Sequence, residues 1–249
     1  PLLQRLAEDF DLWLCDVQGH GETEHGGRFH GWNRSAELAL EAFAAGRERF
    51  ADAPVYALGH SFGGVLTSLM LAQQPQLFQR AVLLDPVLFS PAMIGVMALS
   101  DVVGLSRRTT LASKALKRRS SWPDRATAHT ALHGRGMFRG WTEEAFVSYI
   151  QHALKDSEKG VELKCRPSRE ADIFSSFPKR LWPSLAKVTT PTQVLYGQRS
   201  YPFVAKSVAR WCASNAQVSA HVVPGGHCFM QEQPDDSAAR VANFLLQRG

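Results

Sequence analysis

Residues 54–72 read PVYALGHSFGGVLTSLMLA, and this stretch decides the fold. The residues up to Leu58 form a short apolar run, which is typical of a buried strand. The last part has apolar residues at the 3.6-residue spacing of one helix face, namely Val65, Leu66, Leu69 and Ala72. Residues 59–64, which lie between the two, include three glycines and favour a tight turn. The stretch therefore predicts a strand, a turn and a helix in direct succession, with Ser61 at the turn.

Strand-like and helical segments alternate along most of the chain. Further runs of β character occupy residues 12–16, 80–85, 192–196 and 218–223. Helical spacing follows Ser35, which is a plausible N-cap, and returns at residues 204–212 and in a closing helix with Val241, Phe244 and Leu245 on one face. This alternation predicts an α/β fold with a doubly wound, mostly parallel sheet.

The alternation stops for about 100 residues after Pro86. Helical patterns there cover residues 93–116, 125–132 and 142–155. We therefore expect a core made of residues 1–85 and 187–249, interrupted by a helical insertion at residues 86–186.

The composition is that of an ordinary globular protein, with 45% hydrophobic and 20% charged residues among 249. No apolar run approaches the roughly 18 to 20 residues needed to cross a bilayer, so no membrane span is expected. The cysteines show no C-x-x-C spacing, which argues against a zinc site or a redox pair; they are Cys15, Cys165, Cys212 and Cys228.

Positive charge is concentrated in the insertion. Residues 86–186 carry 16 Lys and Arg against 9 Asp and Glu, whereas the remainder carries 12 against 14. Part of this charge forms one cluster, namely Arg107, Arg108, Lys114, Lys117, Arg118 and Arg119. Such a cluster is either the solvated face of a helix or a surface that attracts an anionic substrate, a nucleic acid or a membrane. No nucleic-acid-binding module accompanies it, so we expect no nucleic-acid partner.

Three motifs together resemble those of one known family. Gly59-His60-Ser61-Phe62-Gly63 fits the pattern G-x-S-x-G, in which side chains at Gly59 and Gly63 are expected to collide with neighbouring backbone. Residues 16–23, DVQGHGET, are similar to D-x-R-G-H-G-x-S, with Gln18 and Thr23 as departures. Residues 222–227, VVPGGH, are similar to a last strand and its histidine loop. With these motifs the chain resembles the α/β-hydrolase superfamily, and the resemblance implies a serine esterase-like member with residues 86–186 as a helical lid.

The resemblance assigns roles to several residues. Ser61 would be the nucleophile, and His227, in a glycine-rich loop past the last strand, would be the general base and then the general acid. The N–H of Phe62 would be one donor of the oxyanion hole. Relatives supply the second donor after an earlier strand, which would lie before Pro1, so we expect a chain that lacks its opening strands. His60 is expected to pack or to orient its surroundings.

The acid of the triad is the open assignment. Most relatives place it after the strand that corresponds to residues 192–196, but here that turn reads GQRS and contains no carboxylate. A variant of the family places the acid one strand earlier, where Asp85 stands 24 residues beyond Ser61. Asp85 is therefore the predicted acid. Water, Ser200 or a lid carboxylate such as Asp172 are the alternatives.

The resemblance favours hydrolysis of a carboxylic ester in a small-molecule substrate, because serine rather than aspartate at the turn indicates acyl transfer. It does not separate esters from thioesters, lactones, vinylogous C–C bonds or perhydrolysis. The basic insertion favours an acid-bearing or CoA-linked substrate. Aromatic residues of the insertion are numerous enough to cover an apolar pocket, namely Trp122, Phe138, Trp141, Phe146, Tyr149, Phe174, Phe177 and Trp182. No cofactor or metal is expected.

Two other classes of function stay open. One is a binding or regulatory protein that keeps the fold without turnover, which the missing carboxylate after Gly197 motivates. The other is a basic nucleic-acid or membrane-surface module, which rests only on the charge of the insertion. A cytoplasmic location is expected, although the start at Pro1 reads as trimmed and the lack of a signal peptide therefore decides little.

Overall fold

A computed structural model describes residues 1–105 and 110–247, so Arg107 and Arg108 of the basic cluster lie outside the described residues. The strands are β1 (Tyr56–His60), β2 (Arg80–Leu84), β3 (Ser121–Trp122), β4 (Leu154–Ser157), β5 (Gly160–Leu163), β6 (Thr192–Gly197) and β7 (Val218–Val223). The α-helices are α1 (Leu2–Leu6), α2 (Trp32–Gly46), α3 (Ser61–Gln73), α4 (Pro91–Val102), α5 (Thr110–Leu116), α6 (Arg125–Leu132), α7 (Glu143–His152), α8 (Pro167–Phe174), α9 (Leu181–Leu185), α10 (Pro202–Ser214), α11 (Phe229–Glu232) and α12 (Pro234–Leu246).

Four of these strands form the main sheet, in the order β1-β2-β6-β7, and every pair is parallel. Successive residues of β2 point to opposite faces of the sheet. Leu83 packs into a core on one face, while Val82 and Leu84 pack into a second core on the other. Helix α3 contributes Val65 to the first core, and α12 contributes Val241 to the second. Both faces are covered by helices, and the predicted α/β fold with a mostly parallel sheet is confirmed.

Two predictions near the start of the chain are wrong. Residues 12–16 are not a strand, because no described strand lies beside them to complete a hydrogen-bonded ladder. Helix α2 begins at Trp32, before the expected N-cap Ser35. Gly31 caps it with a φ of 86°, and the hydroxyl of Ser35 donates to the carbonyl of Gly31. The indole of Trp32 is buried and donates to Ser176 Oγ at 3.0 Å, so the first residue of the helix is held by a tertiary contact.

The insertion is not purely helical. It contains a three-stranded antiparallel sheet, β3-β5-β4, and the helix expected over residues 142–155 ends at His152. A hairpin follows, in which Glu158 and Lys159 form the turn and Gly160, with a φ of 123°, is the first residue after it. A Cβ at Gly160 would lie 2.3 Å from the carbonyl oxygen of Trp122, so only glycine fits there. The single stretch expected over residues 93–116 contains two helices, α4 and α5.

Close backbone packing shapes the turn from β1 to α3. A Cβ on Gly59 would lie 2.4 Å from Thr67 Oγ1 and 2.6 Å from the carbonyl oxygen of Gly63. The expected collision at Gly63 is wrong, because a Cβ there meets no atom within 4 Å outside its own helix backbone and chain neighbours. Gly64 is the second tight position, since its Cβ would lie 3.0 Å from Cβ of Pro86.

This difference predicts opposite effects of two neighbouring substitutions. Gly59→Ala should lower the free energy of unfolding by about 2 to 3 kcal/mol, because the new methyl group overpacks the turn. Gly63→Ala is the matched control and should raise it by up to about 1 kcal/mol, since alanine favours a helix. Urea denaturation measures both. Equal effects of the two substitutions would contradict the packing described for this turn.

Candidate active site

Ser61 lies at the sharp turn between β1 and α3. Its φ of 54° is left-handed, which is costly for a residue with a side chain and often marks a functional position. The turn lies at the carboxyl ends of the parallel strands, where open α/β sheets bind their ligands. Ser61 Oγ is 2.8 Å from Nε2 of His227.

His227 follows β7 in a loop that several contacts hold in place. Its Nδ1 hydrogen-bonds to Oδ2 of Asp85. Its backbone carbonyl accepts a hydrogen bond from Nε2 of His60 at 2.9 Å. The N–H of Gly226 donates to Oε1 of Glu232 at 2.7 Å. The imidazole is therefore fixed between Ser61 on one side and Asp85 on the other.

Asp85 directly follows β2 and is completely buried. It adopts a φ of 45°, which is also left-handed. Its Oδ1 accepts from the N–H of Gly197 at 3.0 Å, and its Oδ2 accepts from the hydroxyl of Ser200 and from His227. Among the alternative acids, Ser200 supports Asp85 rather than replacing it, and Asp172 pairs with Arg169 at 3.2 Å. The structure thus brings Asp85, His227 and Ser61 into one hydrogen-bonded chain.

The hydrogen-bond partners decide which nitrogen of His227 carries the proton. A carboxylate only accepts, so Nδ1–H donates to Asp85. Nε2 then has a free lone pair, and the hydroxyl of Ser61 donates to it. This arrangement can take a proton from Ser61 when its oxygen attacks an acyl carbon.

Phe62 is the second residue of α3, so its N–H is one of the first four of the helix and has no acceptor within the helix. Its ring packs edge-on against Trp32 with centroids 4.6 Å apart, and it stacks on His20 at 6.3 Å. These contacts fix the peptide next to Ser61. The structure places the predicted oxyanion donor beside the serine, and its role stays a prediction.

A cavity of about 360 Å³ opens beside Ser61. Most of its wall is apolar and comes from Phe62, Met137, Leu163, Ile173 and Phe174. Its charged or polar wall comes from residues that include Arg118, Tyr149, Lys164, Cys165 and Glu170. The sequence analysis singled out Arg118 for its charge and Tyr149 for its ring, whereas no motif reveals Lys164, Cys165 or Glu170, because long-range packing brings them to the serine.

The aromatic residues of the insertion divide between two places. Tyr149 and Phe174 line the cavity. By contrast, Trp122, Phe138 and Phe146 are buried in a core of the insertion itself. The expectation that these aromatic residues cover a pocket therefore applies to only some of them.

A second depression of about 400 Å³ lies between the sheet and α12, lined by residues that include Arg80, Gln193, His221 and Phe244. It contains none of Ser61, His227 and Asp85. We therefore assign the chemistry to the cavity beside Ser61.

Within residues 1–105 and 110–247, no group of three or more His, Cys, Asp or Glu side chains could hold a metal ion. The four cysteines are free thiols. In the same part of the chain, each helix is too short or too polar to cross a membrane.

Comparisons with known proteins agree with this architecture. Residues 1–240 match the model of the alpha/beta hydrolase family, and the chain belongs to this family. It is similar to two abhydrolase domain-containing proteins of Alternaria alternata, AFT2-1 at 23% identity and AKT2 at 28% identity, each over 77% of this chain and 83% of the relative.

Solved structures share the fold. The crystal structure of E-2-(acetamidomethylene)succinate hydrolase is 20% identical, with a TM-score of 0.78 over 98% of this chain and 84% of the other. The peroxisomal α/β-hydrolase Lpx1 of Saccharomyces cerevisiae is 17% identical, with a TM-score of 0.76 over 99% and 73%. A marine microorganism esterase is 19% identical, with a TM-score of 0.64 over 98% of this chain and 88% of the other.

His60 yields a prediction about stability and pH. Burial, followed by the charge of His227, lowers the pKa of His60 from 6.5 to about 4. Between these values the unfolded chain binds a proton at this residue and the folded chain does not, so stability falls as the pH falls. From pH 7 to pH 4.5 the parent should lose about 2 to 3 kcal/mol more than His60→Gln, which has no ring to titrate. Urea denaturation of both proteins at the two pH values measures this difference, and equal losses would contradict the account of His60.

Proposed function

We propose that the chain is a serine hydrolase that cleaves carboxylic esters through an acyl-enzyme, with residues 86–186 as a lid over the core. The observation that carries the proposal is the hydrogen-bonded chain from Asp85 through His227 to Ser61, which lines the cavity. A hydroxyl is a weak nucleophile until an adjacent base takes its proton, and this geometry supplies that base.

The proposed reaction has two halves. In the first, Ser61 Oγ attacks the acyl carbon and its proton passes to Nε2 of His227. The bond from the acyl carbon to the leaving oxygen then breaks, and His227 returns the proton to the departing alcohol. In the second, His227 takes a proton from water, whose oxygen attacks the acyl carbon. The bond from the acyl carbon to Ser61 Oγ then breaks, His227 returns its proton to that oxygen, and the carboxylic acid leaves.

Asp85 and Phe62 stabilise the charges that develop in these steps. When His227 becomes positive, the buried carboxylate of Asp85 compensates that charge and keeps Nδ1 protonated. The N–H of Phe62, at the start of α3, can donate to the oxygen that becomes negative, and the positive end of the helix dipole favours the same charge.

The cavity supports a small-molecule acyl substrate. Its largely apolar wall suits an acyl or aryl group, and its volume lies in the range of small-ligand sites. Two solved proteins with a similar fold are named as E-2-(acetamidomethylene)succinate hydrolase and as an esterase, and these names support the hydrolysis of acyl bonds. We propose an ester rather than an amide because the alkoxide of an ester is the better leaving group.

A fluorophosphonate probe, which reacts with activated serines, tests this proposal. The parent should be labelled, Ser61→Ala should not, and Asp85→Asn should react about 10⁴-fold more slowly because His227 loses its orientation and compensating charge. Ser219→Ala, which removes an exposed serine of β7, is the matched control and should react like the parent.

Two outcomes would contradict the proposal. A folded parent that is not labelled would favour the binding or regulatory protein over the enzyme. Labelling that persists in Ser61→Ala would mean that another serine is the activated one. Near-ultraviolet circular dichroism of each variant checks that the fold is intact.

A further inference from the structure

One residue of the basic cluster differs from its described neighbours. Arg118 lines the cavity beside Ser61, whereas Lys114 and Lys117 are exposed to solvent and do not line it. The guanidinium of Arg118 is therefore available to a molecule bound next to the serine. A solvated face explains the two lysines but does not explain Arg118.

Two residues hold the Arg118 guanidinium in a defined orientation. Its Nη1 donates to both carboxylate oxygens of Glu170 at 3.2 Å, and its Nη2 donates to the hydroxyl of Tyr149 at 3.1 Å. A guanidinium has five N–H donors, and these contacts use two of them within the described part of the chain, because a single Nη1–H is shared between the two oxygens of Glu170. The remaining donors can bind a ligand without breaking the contacts that orient the group.

The ion pair between Arg118 and Glu170 adds little to the stability of the fold. The side chains of Arg118 and Glu170 are 26% and 28% exposed in a mostly apolar wall, and removing such charges from water offsets most of their attraction. A fixed, planar guanidinium is instead well suited to bind a carboxylate. Function explains the placement of Arg118 better than stability does.

The charge of the cavity wall favours an anion. Two cations, Arg118 and Lys164, and one carboxylate, Glu170, line the cavity. Lys164 is 19% exposed, and its partner Glu22 lies outside the cavity lining and is 82% exposed, where water screens its charge. Among the Lys, Arg, Asp and Glu side chains that line the cavity, cations therefore outnumber carboxylates by one, and the carboxylate that pairs with Lys164 lies outside the lining.

We propose that Arg118 is a specificity-determining residue that binds a carboxylate of the substrate, so that the site prefers esters whose acyl group carries a free acid. Glu170 and Tyr149 are positioning residues that orient Arg118, and Lys164 adds positive charge. This inference rests on the proposed function of Ser61 and names the class of substrate for that site.

A matched pair of substrates tests the proposal. One is the mono-4-nitrophenyl ester of glutaric acid, which carries a free carboxylate, and the other is its methyl ester, which is neutral. The parent should hydrolyse the acid with the higher kcat/KM. Arg118→Gln should lower the acid-to-neutral ratio of kcat/KM by about 30-fold, because truncating one partner of a partly buried charged hydrogen bond costs that much. The acid-to-neutral ratio of Arg118→Lys should lie between those of the parent and Arg118→Gln, since lysine keeps the charge and loses the planar guanidinium.

Lys117→Gln is the matched control, because it removes one positive charge from the adjacent, exposed position. It should leave the ratio within about 2-fold of the parent, since water and salt screen a charge at the surface. If Lys117→Gln lowers the ratio as much as Arg118→Gln, the preference comes from the overall charge of the insertion and the proposal is wrong.

Further outcomes separate this proposal from the proposed function. A parent that is labelled by fluorophosphonate but prefers the neutral ester overturns the role of Arg118 and leaves the serine hydrolase intact. Equal losses on both substrates in Arg118→Gln also overturn it, because a merely structural role predicts them. A parent that is neither labelled nor active on either ester contradicts the proposed function itself. The preference of the parent is measured without any variant, so the test stands even if Arg118→Gln does not fold.

Discussion

The hydrogen bond between His227 and the buried carboxylate of Asp85 is the interaction on which the rest of the site depends. A wholly buried carboxylate costs several kcal/mol unless donors surround it. Here the donors come from Gly197, Ser200 and His227. They draw together the loops that follow β2, β6 and β7, while Ser61 follows β1. Each strand of the main parallel sheet thus contributes one part of the site at the same edge.

Backbone strain is concentrated at the same place. Ser61 and Asp85 both have left-handed φ values, which side chains other than that of glycine adopt at a cost of about 1 to 3 kcal/mol each. The surrounding contacts offset this cost. Gly59 and Gly64 admit close packing at the turn, and the hydrogen bonds of Asp85 compensate for its burial. The proposed chemistry follows from this geometry, because the strained turn directs Ser61 to His227.

The sequence was most informative where local patterns decide the structure. Runs of β character predicted β1, β2, β6 and β7, and the clearest of them is β2, which is continuously apolar over residues 81–84 because it lies inside the parallel sheet and is buried on both faces. The resemblance to a family pointed to Ser61, His227 and Asp85, which the structure brings together. Residues 12–16 have the local character of a strand, but a strand also needs a neighbour, and the sequence of the segment does not encode one.

Other features depend on contacts between distant parts of the chain, and local patterns did not predict them. Arg118 and Glu170 are 52 residues apart in sequence, and no local pattern shows that they meet at the cavity. The hydroxyl of Ser200 meets Asp85 across 115 residues. The sequence did contain a signal for this second contact, since Ser200 occupies the turn where most relatives carry the acid. The hairpin of β4 and β5 was hidden because residues 142–155 continue a helical pattern past the end of α7.

The most direct test of the central interaction is the proton NMR spectrum of the protein with ¹⁵N-labelled histidine. A proton shared between Nδ1 of His227 and a buried carboxylate should give a strongly deshielded resonance that is coupled to a histidine nitrogen. The account predicts that this resonance is present in the parent and in Ser61→Ala, and that it disappears in Asp85→Asn. Its absence from the folded parent, or its persistence in Asp85→Asn, would contradict the claim that Asp85 orients His227.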